Sequence, residues 1–197
     1  MIYHGSTDEP EGLAEAIEAF GRGEIVGYPT ETYYGLGVDA LDPAALARLL
    51  ELKGRGADKA VSVLVTSEAM LERLCTKVPA TAHRLMAAYW PGALTIALPA
   101  RAGLPAALLS DGCVAVRHSP HPVASAFVAA VGRPITATSA NPAGAAPPTT
   151  AAEVRAYFAG RCVVIDGGAT AGGAPSTLVR VRNERIEILR HGAVEID

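Results

Sequence analysis

The sequence predicts an α/β protein in which helices cover a mixed β-sheet. Short apolar runs rich in β-branched residues alternate along the chain with segments whose apolar residues recur at helical spacing, a pattern typical of strands joined by helices. The last two runs, TLVRV at 177–181 and RIEIL at 185–189, are separated by a short polar turn. They predict an antiparallel hairpin, so the sheet is expected to be mixed.

The size and composition of the chain fit one folded domain spanning 1–197. With 50% hydrophobic and 19% charged residues, the chain can bury a substantial core and is unlike a disordered sequence. No apolar run approaches the roughly 18 residues of a membrane span, and no signal peptide is visible, so we expect a cytoplasmic protein without a membrane partner. The net charge of -3 means that any anionic ligand needs a local cluster of cations.

Helical periodicity and short apolar runs predict the individual elements. Asp8 can cap a first helix that ends at Gly21, and the run 24–29 predicts a strand leading into a polar, Gly-rich loop. Asp42 and Pro43 begin a second helix, which runs into a cationic loop at 53–59. The remaining predicted elements are a strand at 61–65, helices near 67–74 and 80–89, strands at 94–98 and 113–117, a helix near 122–131, a strand at 134–138, a helix near 151–158, a strand at 162–166 and the terminal hairpin.

Common catalytic motifs are missing from the sequence. It contains no GxSxG elbow, Walker A loop, GxGxxG turn or HExxH helix. The cysteines Cys75, Cys113 and Cys162 lie far apart without a CxxC pair, which argues against a zinc site and a disulfide framework. Covalent and zinc chemistry are therefore disfavoured.

Five polar or basic segments are candidates for binding a ligand, because open α/β sheets usually bind ligands beyond the carboxyl ends of their strands. They are PTETYYGLG at 29–37, Lys53-Gly54-Arg55, Arg117, Thr138-Ser139-Ala140-Asn141, and Ser176-Thr177 with Arg190. The cations offer the positive charge that phosphates or a carboxylate need, and the hydroxyl and amide groups can contact ribose, phosphate or an amino acid. Taken singly, each segment also fits an ordinary turn, a flexible loop or a solvated charged surface.

Taken together and in order, these segments resemble the YrdC/TsaC family of threonylcarbamoyl-AMP synthases in its short, single-domain form. The stretches PTETYYGLG, KGR, WPGALTIAL, VAVRHSPHP, TSANPAG, PSTLV and LRHGAV are similar to seven family motifs and extend over nearly the whole chain. Gly56, Ala60-Val61, Ala93 and Pro142-Ala143 depart from the family pattern without removing a charged residue.

The resemblance implies the YrdC-like fold, a twisted mixed sheet flanked by helices with a large ligand cleft. It also implies an enzyme that joins L-threonine, bicarbonate or CO2, and ATP with Mg2+ into threonylcarbamoyl-AMP and pyrophosphate, without a protein nucleophile. A downstream tRNA threonylcarbamoyl transferase complex would use the product to modify a tRNA adenosine. By motif, Thr30 and Arg117 would bind threonine. The nucleotide would be bound by Lys53, Arg55, Ser139, Asn141, Ser176 and Arg190, with Lys53 and Arg55 as the catalytic cations and no resident metal site.

Three alternatives are weighed against this interpretation. A YciO-like paralogue would have weak or different activity, but the intact PTET, KGR and TSAN motifs favour a synthase. The related module of hydrogenase-maturation carbamoyltransferases belongs to a much longer chain than 197 residues. A double-stranded RNA-binding module is disfavoured by the net charge of -3 and by the 5% aromatic content, because RNA binding usually needs a basic face or stacking platforms.

Overall fold

The computed structural model of the protein describes residues 10–54 and 60–196. In these ranges the helices are α1 (Leu13–Gly21), α2 (Pro43–Lys53), α3 (Glu68–Leu74), α4 (Ala80–Tyr89), α5 (Pro122–Val131) and α6 (Ala151–Phe158). The strands are β1 (Val26–Pro29), β2 (Tyr34–Gly37), β3 (Ser62–Leu64), β4 (Leu94–Pro99), β5 (Leu109–Ser110), β6 (Cys113–Arg117), β7 (Ile135–Ser139), β8 (Val163–Val164), β9 (Thr177–Arg182) and β10 (Arg185–Arg190). The predicted alternation of helices and strands is confirmed.

The strands of the described residues form one mixed sheet, which confirms the predicted fold class. Their order is β10-β9-β4-β6-β3-β7-β2-β1-β8, with β5 paired to β6 beside this path. The pairs β1/β8, β3/β6 and β4/β9 are parallel, and the other pairs are antiparallel. The predicted terminal hairpin is β9 and β10, which forms one edge of the sheet.

The two faces of the central sheet carry side chains of different size. On β4, Leu94, Ile96 and Leu98 are fully buried in the hydrophobic core. The alternate residues Thr95 and Ala97 point the other way, toward a cleft. The neighbouring strand β6 repeats this alternation, so one face belongs to the core and the other is left open.

Helices α1, α5 and α6 pack at the opposite end of the sheet from the terminal hairpin. Helix α1 contacts α5 and β8, while α5 and α6 contact β1. The rings of Phe20 and Phe127 meet edge to face with centroids 5.7 Å apart, and Phe127 also contacts Tyr28. None of the helices in the described ranges is long and apolar enough to span a membrane.

The start of the first helix differs from the prediction. Gly12 is its N-cap residue, in a left-handed conformation and without a side-chain cap, so the helix begins at Leu13. Glu11 forms an isolated bridge with Asp166 instead, and its carbonyl accepts a hydrogen bond from the Asp166 N–H. The chain before the helix is thereby held beside the end of β8, and the predicted cap Asp8 lies outside the described residues.

The segment predicted as a Gly-rich loop after the first strand contains a second strand. Strand β2 pairs antiparallel with β1, from Val26 opposite Gly37 to Pro29 opposite Tyr34. Glycine is usually depleted in strands, but a β-carbon at Gly37 would lie 2.9 Å from Cε1 of Tyr28. The Tyr28 ring is buried on this hairpin, and its hydroxyl donates a 2.7 Å hydrogen bond to the Thr136 carbonyl. The glycine is therefore required by close packing.

We expect Gly37→Ala to lower the free energy of unfolding by about 2 kcal/mol, because the anchored Tyr28 ring cannot move away from the added methyl group. Gly21→Ala is the control: no atom lies within 4 Å of a β-carbon there, so stability should stay the same or rise slightly. Urea unfolding followed by circular dichroism measures both. Equal stability of the two variants would contradict the packing argument.

Candidate active site over the open face of the sheet

A cleft of about 570 Å³ lies over the open face of the sheet. Its size is within the roughly 300–1,000 Å³ typical of ligand pockets. On its floor Ala97 pairs with Ala115, and Ser62 pairs with Ala137 on the two adjacent strands. The sequence placed the ligand beyond the carboxyl ends of the strands. The cleft instead lies across the face of the sheet, because these small side chains leave that face uncovered.

Arg117 ends β6 and lines the cleft. Its Nη1 donates to Oε1 of Glu31, and Ser119 donates its hydroxyl hydrogen to Oε2 at 2.6 Å. Only 9% of the Arg117 side chain and 16% of the Glu31 side chain are exposed. The other guanidinium nitrogens of Arg117 have no hydrogen-bond partner within the described ranges. Glu31 therefore holds the guanidinium from one side and leaves its remaining donors for a ligand.

Thr30 also lines the cleft, but its hydroxyl belongs to the turn between β1 and β2. The hydroxyl donates a 2.7 Å hydrogen bond to the Tyr33 carbonyl. It also lies 3.3 Å from the hydroxyl of Thr32, which faces the same cleft. Since the one hydrogen of the Thr30 hydroxyl is used for the Tyr33 carbonyl, the Thr32 hydroxyl is the donor in the contact between the two threonines, and its oxygen can still accept a hydrogen bond from a ligand in the cleft.

Ser176 and Arg190 are brought together as the sequence predicts. Nε and Nη2 of Arg190 donate to the Ser176 carbonyl at 3.2 and 2.7 Å, and Nη2 also donates to the Ser176 hydroxyl at 3.1 Å. The Ser176 hydroxyl lies 2.9 Å from that of Thr95. Partial burial and, to a smaller extent, the charge of Arg117 lower the pKa of Arg190 below its ordinary value. The guanidinium groups of Arg117 and Arg190 thus share one cleft, where an anion would offset their repulsion.

Lys53 ends α2 and is buried, with 4% of the residue exposed. Its ammonium donates to the carbonyls of Ser139 and Asn141, at 2.8 Å in the second case. Ser139 is the last residue of β7 and Asn141 lies in the loop that follows, so Lys53 joins the end of α2 to the junction of β7 and that loop. Lys53 is not among the side chains that line the cleft, and its predicted contact with the nucleotide stays a prediction.

Ser139 and Asn141 line the cleft, but the Asn141 side chain is held by hydrogen bonds and Ser139 is exposed. The Asn141 amide donates to the carbonyls of Pro142 and Ala145 at 3.0 and 2.8 Å, while its Oδ1 is buried without a partner among the described residues. Ser139 is exposed. Arg55, the second predicted catalytic cation, lies outside the described residues.

Two tyrosines tie the β1–β2 hairpin to the Gly-rich loop that follows β8. The Tyr34 hydroxyl donates to the Gly168 carbonyl at 2.8 Å, and the Tyr33 hydroxyl donates to the Gly173 carbonyl at 2.6 Å. The Gly172 N–H donates to the Thr32 carbonyl at 2.7 Å. This loop ends at Pro175 and Ser176, which line the cleft. The β1–β2 hairpin, which also lines the cleft, is thus bonded to the loop that leads to them.

Sequence reasoning missed Thr95 and Arg180 of the cleft region, and it included Glu31 in a candidate segment without giving it a partner. Glu31 stands behind Arg117, Thr95 stands beside Ser176, and Arg180 lines the cleft from the middle of β9. Arg180 is 15% exposed in its side chain and pairs with the exposed carboxylates of Asp111 and Glu187. The alternation of side chains along a strand could have identified Arg180. It lies two residues after Leu178 and four after Ser176, so its side chain is on the same face of the strand as theirs.

The comparisons with known proteins agree with this geometry. Residues 18–192 match the protein family Sua5_yciO_yrdC, which is described as "Telomere recombination". A threonylcarbamoyl-AMP synthase of Bacillus subtilis is 36% identical over 192 residues, which are 96% of this chain and 55% of that protein. A threonylcarbamoyl-AMP synthase of Thiobacillus denitrificans is 35% identical, with 92% of this chain and 97% of that protein covered.

A solved structure resembles the fold closely. Sua5 of Pyrococcus abyssi, complexed with L-threonine, superposes with a TM-score of 0.85 at 38% identity, covering 91% of this chain and 54% of that one. The chain therefore spans about half the length of the Bacillus and Pyrococcus proteins and nearly the whole Thiobacillus protein.

We expect Glu31→Gln to lower the free energy of unfolding by about 2 kcal/mol, because it removes the carboxylate that compensates the buried Arg117 charge. Asp111→Asn is the matched control: it also removes one carboxylate paired with arginine, but that carboxylate is 66% exposed, so the cost should stay below about 0.5 kcal/mol. Urea denaturation gives both values. A similar small effect of the two substitutions would show that the Glu31–Arg117 pair does not stabilise the cleft wall.

Proposed function

The chain belongs to the Sua5/YciO/YrdC family, and from this premise we propose that it is an L-threonylcarbamoyladenylate synthase. The enzyme joins L-threonine, bicarbonate or CO2, and ATP, and it releases pyrophosphate. The names of the Bacillus and Thiobacillus relatives and the L-threonine in the complex of the Pyrococcus relative support this assignment.

The observation that carries the proposal is that Arg117 and Arg190 lie in one cleft, which Arg180 also lines. Arg117 and Arg190 both line it, and each has nitrogens without a partner in the described ranges. A carboxylate and a polyphosphate are the two anions that the reaction must bring together. We assign the threonine carboxylate to Arg117, beside the Thr30 and Thr32 hydroxyls, and the nucleotide to the side of Arg190 and Ser176.

The chemistry requires positioning rather than a protein nucleophile. The threonine ammonium first releases a proton to solvent, and its neutral nitrogen then forms a bond to the carbon of bicarbonate with loss of water. A carboxylate oxygen of the resulting N-carboxy-threonine then attacks the α-phosphorus of ATP, and pyrophosphate leaves with the electron pair of the broken P–O bond. The guanidinium groups and hydroxyls hold the reacting groups close and offset their negative charge.

Mg2+ would enter this cleft with the nucleotide. The cleft-lining side chains of the described residues include no carboxylate, and no cluster of three metal-binding side chains occurs in those ranges. Mg2+ is commonly bound through substrate phosphates and water, so a donor set of hydroxyls and carbonyls fits an ion carried by ATP. When bound, the ion neutralises part of the phosphate charge.

The proposal extends to location and partners. We propose a cytoplasmic enzyme whose product, a mixed anhydride, passes to a tRNA threonylcarbamoyl transferase complex. The contact with that complex and any direct contact with RNA are part of this proposal only. A double-stranded RNA-binding module remains the competing function and is separated from the synthase by the experiment below.

We expect pyrophosphate release from ATP and Mg2+ to depend on both L-threonine and bicarbonate. The assay omits each component in turn and identifies the adenylate by mass spectrometry. Release that is indifferent to threonine would contradict the proposal and favour a YciO-like activity. Binding to double-stranded RNA that is lost in moderate salt, without ATP turnover, would favour the RNA-binding function instead.

We expect Lys53→Ala to lower stability by about 2 kcal/mol and to reduce pyrophosphate release as well, because the loop that carries Ser139 and Asn141 loses its anchor. Lys77→Ala removes an exposed lysine and should change neither property. Urea unfolding and the pyrophosphate assay are run on both variants. Unchanged stability with lost turnover would mean that the Lys53 ammonium acts on the ligand directly.

A further inference from the structure

Thr95 and Arg190 come to the same side of the cleft through three adjacent strands. Thr95 pairs with Leu178 of β9, and Leu178 pairs with Arg190 of β10. All three side chains line the cleft, and Thr95 is only 2% exposed. Because residues opposite one another in a sheet point to the same face, the fold places the Thr95 hydroxyl where the Arg190 guanidinium ends.

The hydrogen bonds among Thr95, Ser176 and Arg190 do not use all of the hydrogens that these side chains can donate. The hydroxyls of Thr95 and Ser176 lie 2.9 Å apart, so one of their two hydrogens is used between them. Ser176 also accepts from Arg190, and no other acceptor for either hydroxyl occurs in the described ranges. One hydroxyl hydrogen is therefore available whichever of the two is the donor in their shared bond.

Arg190 adds further donors on the same side. Its Nε and Nη2 are occupied by Ser176, whereas Nη1 has no partner in the described part of the chain. The three side chains thus present N–H and O–H donors together with one positive charge. This combination selects an anionic oxygen over a neutral or cationic group, because hydrogen bonds to a charged acceptor are the stronger ones.

We propose that Thr95, Ser176 and Arg190 form a donor triad that binds one phosphate oxygen of the nucleotide. The assignment of Thr95 is new, and it rests on the proposed function, in which Arg117 takes the threonine carboxylate and leaves this triad for ATP. Thr95 contributes in two ways: its hydroxyl shares a hydrogen bond with Ser176, and its β-branched side chain has few rotamers, which fixes the direction of that hydroxyl.

The experiment measures ATP binding by calorimetry, without threonine or bicarbonate, so that it does not depend on turnover. Thr95→Val keeps the shape of the side chain and removes the hydroxyl, and we expect the Kd for ATP to rise about tenfold. Thr95→Ser restores the hydroxyl and should bind ATP within about threefold of the unmodified protein. Thr81→Val is the matched control, since Thr81 is also buried and hydrogen-bonded but lies outside the cleft, on α4.

A second arm identifies the anion. In the pyrophosphate assay, Thr95→Val should raise the KM for ATP and leave the KM for threonine unchanged. An increase in the KM for threonine alone would overturn the phosphate assignment, because the triad would then bind the carboxylate. Wild-type ATP affinity in folded Thr95→Val, or an equal loss in Thr95→Ser, would overturn the role of the hydroxyl. Failure of the proposed function is recognised separately, as pyrophosphate release by the unmodified protein that does not require threonine.

Discussion

The small side chains of Ala97, Ala115, Ser62 and Ala137 keep one face of the central sheet open, and the cleft depends on them. A parallel sheet usually buries both faces under large apolar side chains, whereas a sheet with antiparallel pairs, such as this one, can leave one face open. Here Leu94, Ile96 and Leu98 fill only the core face of β4. Larger side chains on the other face would occupy the volume that a ligand needs, so the alternation of large and small residues determines the position of the site.

An open sheet face still needs charges that are held in place. Arg117 is fixed by a carboxylate behind the cleft wall, so its charge is compensated without a carboxylate in the cleft itself. Arg190 is fixed by a neutral carbonyl and a hydroxyl, so its charge remains uncompensated on that side. The cleft is therefore locally positive although the chain as a whole carries a net charge of -3. A local field of this kind attracts an anion such as a carboxylate or a phosphate.

Local sequence patterns predicted the positions of the strands along the chain better than the order of the strands in the sheet and the contacts between them. Strand β6 was placed at Cys113–Arg117 with Arg117 at its end, as the structure has it. Strand β2 was missed because YGLG reads as a loop, and only the packing of Tyr28 explains why glycines occur there. The partners of Glu31 and Thr95 were missed for the same reason: Glu31 meets Arg117 86 positions away in the chain, and Thr95 meets Ser176 81 positions away. Such contacts depend on strand order, which no local pattern contains.

Lys53 illustrates how a residue predicted to bind a ligand can also have a structural role. A lysine in a Gly-flanked cationic loop suggests an ammonium that faces a phosphate, and the motif supports that interpretation. An ammonium is strongly hydrated, however, and its burial is tolerated only when hydrogen-bond acceptors replace water. The carbonyls of Ser139 and Asn141 provide them, and both residues, at the end of β7 and in the loop after it, line the cleft. The same charge that would attract a nucleotide thus also shapes the loop that would bind it, and substitution of Lys53 alters both.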